Sequence, residues 1–316
     1  MANLQFTRDI IEDVLFRCDE STDGSSEFDD RALELINRVY KKLAAGGSEL
    51  DSAVDETWWW LRSSMPGVLT LVPEKTGICE VTNNNTGVTL ALAQADDLDG
   101  WFFRIEGESD VYRVSAHTGG GTAVTLDSVF TGTTAAAASY TAQKLIYDLP
   151  SGVQEIIGPM RAFRDGPREI DGIDETELNK RFPLNNRYQG TPLAFAMATQ
   201  DSIRFSHCVN ELTRLEFPYL RRATDLTDSG SEEPLVPLEH RAILSDWATF
   251  HLMMDKEDSR AEAVGKMAQN GLAAMVMEQR RRQTRIGKRT FGQINPRGGG
   301  AYNAEPLRTS SGRIIG

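Results

Sequence analysis

A chain of 316 residues, 40% hydrophobic and 25% charged, has the composition of an ordinary globular protein of one or two domains and needs no disulfide or metal staple. It contains no run of about 18 apolar residues, which excludes a membrane-spanning helix; Arg8, Asp9, Glu12 and Asp13 interrupt the N-terminal apolar stretch that a signal peptide would require. The net charge of −12 is unevenly placed: Gln279 to Gly316 holds nine basic residues and one acid, so this segment carries +8 and the remainder −20.

In chain order, Thr7 caps a predicted helix with Ile10, Ile11, Val14, Leu15 and Cys18 at helical spacing. Asp29 or Asp30 opens a second, through Leu33, Ile36, Val39, Tyr40 and Leu43, and Gly46-Gly47 ends it. A short third helix is expected to carry Trp58, Trp59, Trp60 and Leu61 up to Pro66-Gly67. From Leu69 to Leu149 short runs rich in β-branched and aromatic residues alternate with Gly, Asn and Asp, the pattern of an antiparallel β module. There Gly119-Gly120-Gly121 sits where a hairpin needs positive φ. A second β-leaning stretch, Gln154 to Arg222, is interrupted by a polar segment expected to hold a short helix. After Pro237 helical periodicity returns in two helices, the second ending near Gln283; beyond Thr284 the apolar density is too low for a core.

The expected fold is therefore α+β: a helical bundle made from both chain ends, with inserted antiparallel β modules and an extended C-terminal tail. The segments are 1–68 helical, 69–150 an antiparallel β module, 151–236 a second β-leaning segment with loops, 237–284 a helix pair and 285–316 an extended basic tail.

Little in the sequence points to catalysis. Cys18, Cys79 and Cys208 are odd in number and far apart, which argues for reduced thiols. His240 and His251 share a helical face but lie roughly 16 Å apart at about 1.5 Å per residue, too far to share a metal. His117 and His207 fit no ligand spacing, and no nucleophile elbow, phosphate loop, zincin motif or dinucleotide fingerprint occurs. Asp19, Ser21, Asp23, Gly24, Ser25, Glu27 and Asp30 fall at calcium-loop positions, but the last is Asp instead of the long-reaching Glu, and a loop full of capping residues looks the same. We assign no catalytic residue, cofactor or metal. Trp58-Trp59-Trp60 sweeps about 200° of a helix surface at about 100° per residue, wider than one apolar stripe, so the three tryptophans are expected at a subunit interface, with full burial in one subunit the alternative. Arg280, Arg281, Arg282, Arg285, Lys288 and Arg289 suit phosphates or a solvated helix end equally.

The order of these parts resembles the long form, with a β-insertion, of the head-to-tail adaptor (connector) proteins of tailed bacteriophages. The resemblance is carried by RALELINRVYKKLA after a short first helix, then DETWWWLRSSMPGVLTLVP leading into the β region. It continues through Tyr112 to Pro150, which follows the family's run of Tyr-x-Val, Thr-Leu, Tyr and Tyr-x-Leu-Pro, and through PLVPLEHRAILSDWATF. It implies a non-enzymatic virion protein of the neck, present in the host cytoplasm during assembly. By the same resemblance it assembles as a ring of twelve that joins portal to tail and passes DNA without specific binding, and it meets a downstream neck or tail protein; no membrane is involved. The tail is expected to bind the portal protein through Arg285, Arg289, Phe291, Ile294, Tyr302, Leu307, Ile314 and Ile315, spaced like anchors for a foreign groove. A head-completion or tail-tube-capping component, or a nucleic-acid-binding module acting through the basic tail, are the alternatives.

Overall fold

The computed structural model describes residues 4–20, 27–52, 54, 56–162, 168–184 and 186–292. The chain divides into two compact units, one made of residues 1–60 and 223–316, the other of residues 61–222.

In the first unit, helices α1 (Thr7–Arg17) and α2 (Glu27–Ala44) meet two helices from the far end of the chain, α4 (Ala242–Asp255) and α5 (Ala261–Gly292). α4 is the hub and contacts α1, α2 and α5. Its sequence is apolar nearly all round, as a helix surrounded by neighbours requires, burying Ile243, Leu244, Trp247, Ala248, Leu252 and Met253. Thr7 is the first helical residue of α1 instead of its cap. The N–H of Phe6 donates to Asp9 at 2.9 Å, and the N–H of Thr7 to the Glu232 carbonyl at 2.9 Å. α2 ends as expected, with Gly46 and Gly47 at φ 111° and 82°, where a Cβ would be strained. The buried Arg241 ties the chain ends together, donating to Val236 O at 2.9 Å, Pro234 O at 3.1 Å and the carbonyl of Gln5. α5 runs on past Gln283 to Gly292.

The second unit holds strands β1 (Gly67–Leu71), β2 (Lys75–Val81), β3 (Gly87–Leu90), β4 (Phe102–Ile105), β5 (Val111–His117), β6 (Ala123–Leu126), β7 (Ala135–Gln143) and β8 (Ile146–Asp148). They are followed by β9 (Val153–Ile156), β10 (Met160–Ala162), β11 (Arg168–Gly172), helix α3 (Glu175–Arg181), β12 (Ala194–Thr199), β13 (Ser202–Phe205), β14 (Thr213–Phe217) and β15 (Tyr219–Arg221). β2 to β7 close into a barrel in the order β2-β3-β6-β5-β4-β7. Alternate residues point inward, and Cys79, Val88, Leu90, Trp101, Phe103, Val124 and Tyr140 fill the interior, as a six-stranded barrel leaves no lumen. Gly77 is required here, since a Cβ would lie 2.9 Å from the Tyr140 ring. The β5–β6 hairpin turns through Gly120 at φ 84°, where the glycine triplet was expected to turn it.

The remaining strands form a seven-stranded sheet, β1-β14-β10-β11-β12-β13-β8, and a small β15-β9 ribbon. The edge strands of the large sheet come together through one side chain: the Tyr147 hydroxyl accepts from the Val72 N–H at 3.0 Å and faces the Val72 carbonyl at 3.4 Å. The sheet thereby curls into a second barrel-like body around Leu71, Met160, Ile170, Phe205, Leu215 and Phe217. The closed barrel is inserted between β1 and β8, and this Tyr147 contact sits at its root.

These findings correct the expected α+β helical bundle with inserted antiparallel modules. The protein is β-rich, with two barrel-like sheets and five helices among the described residues. β11 and β12 run parallel, joined across α3, because a parallel pair needs a crossover. The expectation overweighted the helices, whose long periodic runs are conspicuous, while strands of three to nine residues do not show which partners they take. The tryptophan helix is likewise corrected: only a 3₁₀ turn, Trp59–Leu61, forms there.

Candidate assembly site

The tryptophan triplet lies against α5. Trp58 is fully buried and its Nε1–H donates to the Leu43 carbonyl at 2.5 Å. Trp60 is buried and stacks on Tyr40 at 6.5 Å. Both are thus used inside their own unit. Trp59 alone is half-exposed, with the Arg282 guanidinium 4.7 Å above its ring and His240 edge-on at 5.9 Å. Gln279, buried on α5, fixes the segment's backbone: its amide donates to Thr57 O at 2.7 Å and its carbonyl accepts from the Trp59 N–H at 3.1 Å. Gln279 escaped the sequence reading, which named Arg282 only as part of the basic cluster and His240 only as an isolated histidine. The only trace was the three-residue step from Gln279 to Arg282, one helical turn, in a segment that looked merely basic.

Glu278 joins this cluster. Its carboxylate takes His240 Nε2 at 2.8 Å and the Arg282 guanidinium at 2.5 and 2.8 Å. The bonds from Arg282 and then from His240 hold the Glu278 carboxyl below its usual range. With Glu239, these groups bring three ligand-type atoms within 4.8 Å of one another. The Arg282 guanidinium already supplies the positive charge that a metal would bring to Glu278, so the donor set suits an ion-pair network.

The calcium-like loop is only partly within the description, since Ser21, Asp23, Gly24 and Ser25 lie outside the described residues. Of its flanking acids, Asp19 pairs with Arg260 at 3.0 Å, Glu20 with Lys256, and the buried Asp29 faces Arg8 at 3.7 Å. His117, buried at the end of β5, accepts from the Leu98 N–H at 3.3 Å and meets the Gly121 carbonyl at 3.3 Å, and the half-buried His207 meets the Ser206 hydroxyl at 2.9 Å. All three cysteines are buried thiols; burial pushes Cys79 up to about 11 and Cys208 up to about 12, the reverse of a reactive thiolate. A cleft of the second unit, ≈ 370 Å³, is lined by Ser63, Ser64, Met65, Pro66, Pro159, Arg161, Glu216, Phe217 and Pro218, and Glu216 is paired with Arg214 at 3.0 Å.

Of the residues expected to bind a portal, Arg285, Arg289 and Phe291 fall in the last turns of α5, where only the backbone is described, and Ile294, Tyr302, Leu307, Ile314 and Ile315 lie outside the described residues. No helix among the described residues is long and apolar enough to cross a membrane.

A family model described as SU10 adaptor protein matches residues 8–290. The chain belongs to that family, which is of the phage adaptor type and structural, not enzymatic. No curated protein matches it.

Proposed function

We propose that this protein is a long-form head-to-tail adaptor, its six-stranded barrel being the β-insertion. Copies form a ring of twelve in the virion neck, joining portal to tail and letting DNA pass. The family match over nearly the whole chain carries this reading. The charge pattern supports it: a body of −20, repeated around a ring, keeps DNA from sticking, while a segment of +8 seeks an acidic partner surface. Avidity around the ring multiplies weak single contacts by each tail. Trp59, half-exposed beside Gln279 and Arg282 of α5, is the member of the triplet best placed to meet another subunit. The Trp59→Ala variant is expected to weaken assembly more than folding.

Removing residues 290–316 while keeping Arg280 to Arg289 tests the portal contact. Attachment to portal-bearing particles is expected to be lost; attachment that persists overturns it. The arginine cluster favours a second reading, in which the tail holds DNA, and that reading predicts attachment to survive the same truncation. Two of its arginines are already engaged, Arg280 with Glu56 at 3.3 Å and Arg282 with Glu278, which favours the portal reading.

A further inference from the structure

Two exposed faces of the helical unit match each other in spacing, chemistry and charge. α5 packs on α4 and buries Ala261, Gly265, Ala268, Leu272, Met275 and Val276; at Gly265 a Cβ would stand 3.0 Å from the Phe250 ring, so the two helices approach closely. The opposite face carries Ala263, Met267, Asn270, Ala274, Met277 and Arg281, all exposed, at steps of four and three residues. That is the seven-residue repeat with which one helix seats another. Met267 is 56% and Met277 61% exposed, unusual for side chains of this size on a solvated helix. At its end Arg281 holds no ion pair among the described residues.

The second face is on α1, where Phe16 is 78% exposed and Glu12, one helical turn before it, is exposed and pairs within its own helix with Arg8 at 3.0 Å. Such an aromatic is the usual anchor of a protein interface. In α5 the order is reversed, with the apolar Met277 one turn before the basic Arg281. Laid antiparallel, Phe16 sits against Ala274 and Met277, where thioether and ring attract, and Glu12 stands opposite Arg281.

We propose that Phe16 and Glu12 of one copy dock on Ala274, Met277 and Arg281 of the next, and that this is the contact that closes the ring. The proposal rests on the ring reading above and adds the faces that pair. Because the two faces differ and lie on the same chain, the contact is head-to-tail and repeats from copy to copy, giving a ring where the rotation closes, whereas a self-complementary face would stop at a dimer.

Cysteine cross-linking of the full chain tests it. F16C and M277C alter exposed positions, and the native thiols are buried. A short bismaleimide is expected to join the two variants when they are mixed and neither variant to itself. Phe16→Asp should lower the assembled fraction about tenfold, as loss of an anchor does, with an unchanged thermal melt. Glu12→Arg and Arg281→Glu should each impair assembly, and the double variant should restore it. M277C cross-linking to itself, or rings in native mass spectra of Phe16→Asp as abundant as in the wild type, overturns this contact while leaving the ring. A wild-type chain that stays monomeric both alone and on portal-bearing particles overturns the ring reading and the contact with it.

Discussion

Tyr147 closes the large sheet with a single hydroxyl. Burial pushes its ionisation far above the usual tyrosine range. Tyr147→Phe keeps the ring against Phe205, 5.7 Å away, but strands the Val72 N–H; the cost is ~1–3 kcal/mol, read as a lower urea midpoint with an unchanged slope. Beside it, Glu74 ties the root of the barrel to the loop after α3. Burial raises the Glu74 carboxyl, but hydrogen bonds from Arg187, Gln189 and Gln143 outweigh it and leave it below the usual range. A group depressed in the folded state adds stability above its unfolded value and loses it as pH falls through the folded one. Glu74→Gln is therefore expected to cost ~2 kcal/mol at pH 7, and its deficit relative to the wild type should shrink as both are titrated down through the carboxylate range. A deficit that does not change with pH would mean that the carboxylate is not ionised in the fold.

At the level of elements, the closed barrel and the large sheet have separate cores, and the barrel's ends pair directly, Lys75 opposite Ala142. A fragment from Glu74 to Lys144 is expected to fold alone as a monomer with dispersed amide spectra, since every strand from β2 to β7 finds its two neighbours within it. Its individual strands were readable: β3 and β6 alternate buried and exposed without a break, and Gly120 marks a turn by its lack of a side chain. Closure was not readable, because the β2–β7 pairing joins residues some sixty positions apart through Gly77 and Tyr140, whose complementarity exists only once they meet. Nor was the large sheet, in which β1 pairs with β14 across the whole unit. The helices were legible from their periodicity, α4 included. The helix expected at the tryptophan triplet was misread for a physical reason: three large rings in succession suggest a helix with a wide apolar surface, whereas here Trp58, just before a single 3₁₀ turn, and Trp60, within it, fill the core. Trp58→Ala should accordingly cost ~3–5 kcal/mol, and Trp59→Ala much less, in thermal or urea unfolding.

On the scale of the whole molecule, the division of charge sets what the protein can hold. Binding to a duplex requires cations free to displace its counterions. Arg280 and Arg282 are committed to Glu56 and Glu278, and the body carries −20, a field that repels phosphates over a Debye length of about 8 Å at physiological salt. An isolated peptide of residues 280–316, stripped of both, is expected to bind duplex DNA with a steep loss of affinity as salt rises, whereas the intact protein at 150 mM salt should show none above the level of an acidic control. Freeing the two arginines separates the causes. Glu56→Gln with Glu278→Gln releases them and leaves nearly all of the body's charge in place. If that variant binds DNA as the peptide does, local pairing silences the cluster; if it does not, the field of the acidic body is what keeps DNA away. Either result fits an adaptor that lets DNA pass, and salt-sensitive duplex binding by the unmodified protein would contradict it.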